Sequence, residues 1–69
     1  MVWFDSEAVA RAEYDEDEAT LLVWFHGNEH PYAYYDVPEE VFHALCEADS
    51  KGRFMQLHVI DHYQYSPPG

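Results

Sequence analysis

Apolar and polar positions alternate along three short stretches of the chain and then change period. Val9 to Tyr14 reads Val-Ala-Arg-Ala-Glu-Tyr, Thr20 to His26 is rich in β-branched and aromatic residues, and Tyr32 to Val37 carries aromatics at every second place or closer. This period of two predicts three strands. Asp15-Glu16-Asp17-Glu18 separates the first pair and Gly27-Asn28-Glu29 the second. Adjacent acids sit poorly inside a strand, and Gly27 is free to take a positive φ, so both gaps predict tight turns and an antiparallel meander. From Pro38 the spacing becomes helical. Val41, Phe42, Leu45 and Cys46 share one face, Pro38 suits the first turn, and Glu39 and Glu40 favour the positive end of the helix dipole. A helix over Pro38–Ala48 follows. Ser50 is an N-cap candidate for a short second helix from Lys51 to about Leu57, and Val59 to Tyr65 reads as an extended aromatic tail. Met1 to Glu7 reads as an approach segment and Ser66 to Gly69 as a frayed end.

The expected fold class is therefore α+β. It is a single domain over residues 1–69 in which a three-stranded antiparallel meander packs on one main helix, followed by a short second helix and the tail. In the second strand Leu21, Val23 and Phe25 face the helix, while Leu22, Trp24 and His26 face the other way. In a sheet with one helical layer, Trp24 and Leu22 are then either covered by the tail and the N-terminus or form a contact patch.

With 69 residues, such a domain needs large side chains to make a core, and 17% of the residues are aromatic. The charge changes the picture more. Fourteen acids against three bases, Arg11, Lys51 and Arg53, give a formal net charge of −11. That field repels nucleic-acid phosphate and anionic membrane and attracts basic surfaces. Solubility and adaptation to high salt are the plainer readings of the same number. One cysteine, Cys46, allows no internal disulfide and suits a reducing compartment. No secretory signal pattern opens the chain, and the apolar run Leu21 to Phe25 is too short to span a membrane, so a cytoplasmic location is expected.

In order along the chain, Tyr14-Asp15, Leu21-x-Val23-x-Phe25, Tyr32-x-Tyr34-Tyr35, Val37-Pro38-Glu39-Glu40-Val41-Phe42-x-Ala44-Leu45, Ser50-Lys51-Gly52-Arg53-Phe54, His58 and Tyr63-x-Tyr65 resemble the KTSC domain family. The likeness spans about Ala8 to Tyr65. It implies the fold just described and a link to RNA, since the family takes its name from an extension of some lysyl-tRNA synthetases. The family pattern often has basic residues around its terminal His and Tyr. Here Leu57, Ile60, Asp61 and His62 stand there, and a phosphate-binding tail needs Lys or Arg.

The residues offer little catalytic chemistry. Five histidines fall in no zinc-ligand spacing, Cys46 and His43 share a helix without an orienting third group, and three glycines form no phosphate loop. No enzyme activity, cofactor or metal is expected. Lys51 and Arg53 either hold a phosphate at the second helix or pair with acids such as Glu47 and Asp49.

Two functions remain. In the first, the chain is a small acidic inhibitor of the DNA-mimic kind, by analogy with phage-encoded anti-CRISPR proteins acting in the host cytoplasm. It occupies a basic, nucleic-acid-binding surface of a partner protein, as a monomer or weak dimer, with no direct nucleic acid or membrane contact. The binding residues would be Asp15, Glu16, Asp17 and Glu18 at one hairpin tip, Asp36, Glu39 and Glu40 at the strand-to-helix passage, and Glu13 on the first strand. Trp24 and Tyr35 would serve as aromatic anchors. In the second, it is a KTSC module with an RNA- or synthetase-linked role.

Overall fold

The computed structural model describes all 69 residues. The sheet has five strands in the order β1-β2-β3-β4-β5, every neighbouring pair antiparallel. They are β1 (Val2–Trp3), β2 (Val9–Asp15), β3 (Thr20–Phe25), β4 (Tyr32–Tyr34) and β5 (Tyr65–Ser66). Helices α1 (Glu39–Glu47) and α2 (Lys51–Phe54) lie between β4 and β5, and α2 runs on into a π-helical turn, Met55–Val59.

The three central strands and both helices stand where the hydrophobic pattern predicts them, and the expectation of a three-stranded sheet is corrected at both edges. The approach segment supplies β1, with Trp3 opposite Arg11 and Val2 opposite Ala12. The tail is not extended from Val59, which is fully buried at the end of the π turn. It becomes a strand only at Tyr65–Ser66, opposite Tyr34 and Ala33, so Ser66 is part of the sheet and not of a frayed end. The third strand stops at Tyr34 and not at Val37, because Asp36 takes a positive φ of 54° and turns the chain. Asp is among the few residues that tolerate that region.

One face of the sheet carries the core. Val9, Ala12, Leu21, Val23 and Tyr34 meet Val37, Leu45, Met55 and Val59, all buried. Val9 and Ala12 lie three apart, which simple alternation would place on opposite faces. A register shift between Val9 and Arg11 resolves this: an extra residue in β2 turns both inward and Arg11 outward.

The segment Ser50-Lys51-Gly52 joins the helices to the sheet. Ser50 Oγ accepts from the Arg53 amide at 3.2 Å, the N-cap bond expected of it. Lys51 Nζ donates to the carbonyls of Cys46 (2.9 Å) and Ala48, closing the C-terminus of α1, and lies 5.0 Å from the centre of the Phe4 ring. A Cβ on Gly52 would stand 2.9 Å from the Ala8 Cβ, so only glycine lets α2 approach the start of β2 this closely.

Candidate functional site

The β2–β3 turn is held by the first acid of its run. Asp15 Oδ1 accepts from the amides of Asp17 (3.0 Å) and Glu18 (3.3 Å), an arrangement that Asp favours in turns. Asp15, Glu16, Asp17 and Glu18 are all exposed. The strand-to-helix passage then folds back against this tip. The Val37 amide donates to Ala19 O at 2.9 Å, and the Tyr14 hydroxyl donates to Val37 O. Tyr14 also stacks on Phe42 of α1, with ring centres 5.7 Å apart. Two acid runs some twenty positions apart in sequence thus meet around one phenol. Burial first, then the carboxylates of Glu39, Glu16, Glu40 and Asp15, hold the Tyr14 pKa above its ordinary value. Asp36, Glu39 and Glu40 are exposed beside it.

No Lys or Arg shares this pole, although the His43 ring reaches Glu39. Lys51 closes the far end of α1, about 13 Å away at 1.5 Å per residue. Arg11 stands four residues down β2 from Asp15, on the outer face of the sheet. There its guanidinium lies 4.8 Å from the centre of the Trp3 ring and 4.3 Å from that of Trp24. The outer row Trp3–Arg11–Trp24 follows from the register, each residue opposite the next across two strand pairs. Glu13 lies on the same face opposite Leu22, half-buried and apart from the acidic pole.

Trp24 is half-buried. Tyr65 lies on the inner side, 6.0 Å from both Tyr32 and Tyr34, while the Arg11 guanidinium lies over Trp24 on the outer face. Tyr35 is exposed and donates its hydroxyl to Ser66 Oγ at 2.7 Å. The proposed binding residues therefore divide into two places: seven acids at one pole, and Trp24, Glu13 and Tyr35 around the outer face.

Lys51 and Arg53 do not pair with the neighbouring acids as one reading of them expected. Lys51 is engaged by main-chain carbonyls and not by Glu47 or Asp49, and the exposed Arg53 makes no ion pair. The chain's one ion-pair contact joins His43 Nε2 to Glu39 at 3.1 Å. His26 Nε2 bonds to Ser6 O at 2.8 Å, and the His58 ring lies against Phe54. The Cys46 thiol is pushed up by burial, against the opposing pull of Lys51, and so holds its proton. No helix is long and apolar enough to cross a membrane.

A feature that the sequence reading missed is a cleft of about 380 Å³ on the β4–β5 side, lined by Phe25, Asn28, Tyr32, Tyr34, Ile60, Asp61 and Tyr65. Its one early sign was the placing of aromatics at every second position or closer from Tyr32.

Residues 5–63 match the KTSC domain family. A protein of Tsukamurella paurometabola is 45% identical over 51 residues, 74% of this chain and 75% of that protein. A protein of Stutzerimonas stutzeri is 40% identical over 65 residues, 93% of this chain and 90% of that one. Among solved structures, a KTSC domain protein of Yersinia pestis superposes with a TM-score of 0.89 at 27% identity, covering 97% of this chain and 93% of that one.

Proposed function

The chain belongs to the KTSC domain family, and from that footing we propose that it is a non-enzymatic protein-binding module whose acidic pole docks on a basic, nucleic-acid-binding surface of a partner. The carrying observation is the convergence of Asp15 and Glu16 with Glu39 and Glu40 around Tyr14, with Asp17, Glu18 and Asp36 exposed next to them in the chain. Carboxylates held on a turn and a helix start form a fixed anionic surface, which can stand in for phosphate charge and inhibit by occupancy. Charges at the rim of an interface act mainly on encounter, so the pole should set the association rate.

The open sheet face favours a second reading, an RNA- or synthetase-linked role. Two tryptophans flanking an arginine on an uncovered antiparallel sheet offer bases a stacking surface. The charge argues against it. Phosphate contacts need free cations; Arg11 is stacked between the tryptophans and Lys51 is engaged, which leaves Arg53.

Fluorescence anisotropy with a single-stranded RNA, at low salt and at about 150 mM, separates the readings. Weak binding at both is expected, and tight, salt-sensitive binding would establish the RNA role instead. For the first reading, a partner captured by pull-down is measured by surface plasmon resonance against the quadruple variant D15N/E16Q/D17N/E18Q at two salt concentrations. The variant should associate more slowly and with less salt dependence. Equal association rates at both salts would remove the acidic tip from recognition.

A further inference from the structure

The cleft beside β5 is separate from the acidic pole. Phe25 stands at the far end of β3 from the hairpin tip, about 17 Å from Thr20 at 3.3 Å per residue. Its walls are aromatic. The centres of Tyr32, Tyr34 and Tyr65 form a near-equilateral triangle with sides of 6.3, 6.0 and 6.0 Å. Phe25 stands at 88° to Tyr32, 5.3 Å away, and turns the corner. Ile60 adds an aliphatic side, and Asn28 and Asp61 bring an amide and a carboxylate to the rim.

The polar groups in these walls are unused. Of six tyrosine hydroxyls, only those of Tyr14 and Tyr35 hydrogen-bond within the chain. Tyr34 is 3% exposed, yet its oxygen is not a sealed, unsatisfied group, so that small exposure opens into the cleft. Burial first, then Tyr32, Tyr65 and Asp61, push the Tyr34 pKa up to about 12, which keeps the phenol neutral and marks the Asp61 carboxylate as its neighbour. No Lys, Arg or His lines the site. A cleft with π faces, phenol oxygens and one free carboxylate, in a chain of net charge −11, is complementary to a cation on an apolar stem.

We propose that this cleft is a binding site for a lysine or arginine side chain presented by a partner protein, with the stem against Ile60 and the rings and the charged head on Asp61 and the tyrosine oxygens. The site goes beyond the acidic pole and stands whether or not that pole takes part in recognition.

The test is an NMR titration of the ¹⁵N-labelled chain with acetyl-lysine methylamide and acetyl-arginine methylamide, with the norleucine analogue as neutral control. Saturable shifts centred on Phe25, Tyr34, Asp61 and Tyr65 are expected from the cationic probes and not from the control. Asp61→Asn should weaken binding by about tenfold, the scale of one charge-assisted hydrogen bond. Tyr65→Phe, which keeps the ring and the fold of β5, should weaken it less than Asp61→Asn does. The proposal is overturned if norleucine shifts the same residues as strongly, if the cationic probes move only residues 15–18 and 36–40, or if Asp61→Asn binds like the parent. Loss of the cleft response with an intact effect of the acidic-tip variant would reject this site and leave the proposed function standing.

Discussion

At the scale of single residues, the segment Ser50-Lys51-Gly52 is explained by what each side chain closes. Lys51 supplies a cation where the α1 dipole is negative and two carbonyls lack helical partners. Lys51→Met keeps the stem and removes those bonds, so thermal or urea unfolding should show a loss of about 1–2 kcal/mol. Gly52→Ala sets two effects against each other. Alanine gains about 1 kcal/mol in helix propensity, whereas forcing a methyl into packed space costs about 1–3 kcal/mol. At 2.9 Å from another Cβ the second effect should win and the variant should be less stable. Adding Ala8→Gly removes the opposing methyl and should recover much of the loss. A double variant no better than Gly52→Ala would place the strain elsewhere.

At the scale of elements, two tyrosines tie the sheet to what surrounds it. Tyr14 fastens β2 to the start of α1 through Val37 O and its stack on Phe42. Tyr14→Phe keeps the stack and leaves the carbonyl without its donor, at a cost of about 1 kcal/mol in the same unfolding assay. Tyr34 makes stability depend on alkaline pH. The unfolded phenol ionises near 10.0, and the folded one holds its proton to about 12. A raised folded pKa leaves stability intact below pH 10 and erodes it as pH climbs from 10 to 12, by at most about 3 kcal/mol for this one group. Tyr34→Phe should flatten that part of the stability profile. An unchanged alkaline limb would mean that Tyr34 ionises as readily folded as unfolded.

At the scale of the whole molecule, charge is unevenly placed. Seven of the fourteen acids gather at one pole, and none of the three bases lies there. This concentration suits steering but opposes compaction by self-repulsion. The variant D15N/E16Q/D17N/E18Q should therefore be as stable as the parent or slightly more so at low salt. The parent's midpoint should rise with added salt more than the variant's does, since screening relieves repulsion that the variant lacks. The carboxamide that replaces the Asp15 carboxylate retains an oxygen for the turn amides, so any fall in stability would mean that the carboxylate charge itself supports the turn.

Sequence alone determined the features that rest on neighbouring residues: three alternating strands, the inward face of Leu21 and Val23, the helix after Pro38, the Ser50 cap and the positive φ of Gly27, observed at 93°. Each follows from near-neighbour geometry, which a short window of residues contains. The edge strands β1 and β5 were not legible, because two residues have no period and their partners lie 8 to 33 positions away. Nor was the irregularity that reverses Val9 and Arg11 in β2, since strict alternation assigns them to one face. The acidic residues could be named one by one, but their meeting around Tyr14 depends on Val37 docking against Ala19. The cleft depends on β5 bringing Tyr65 to Tyr32 and Tyr34. Those placements are decided by hydrogen bonds and packing between segments far apart in the chain, so only the tertiary structure contains them.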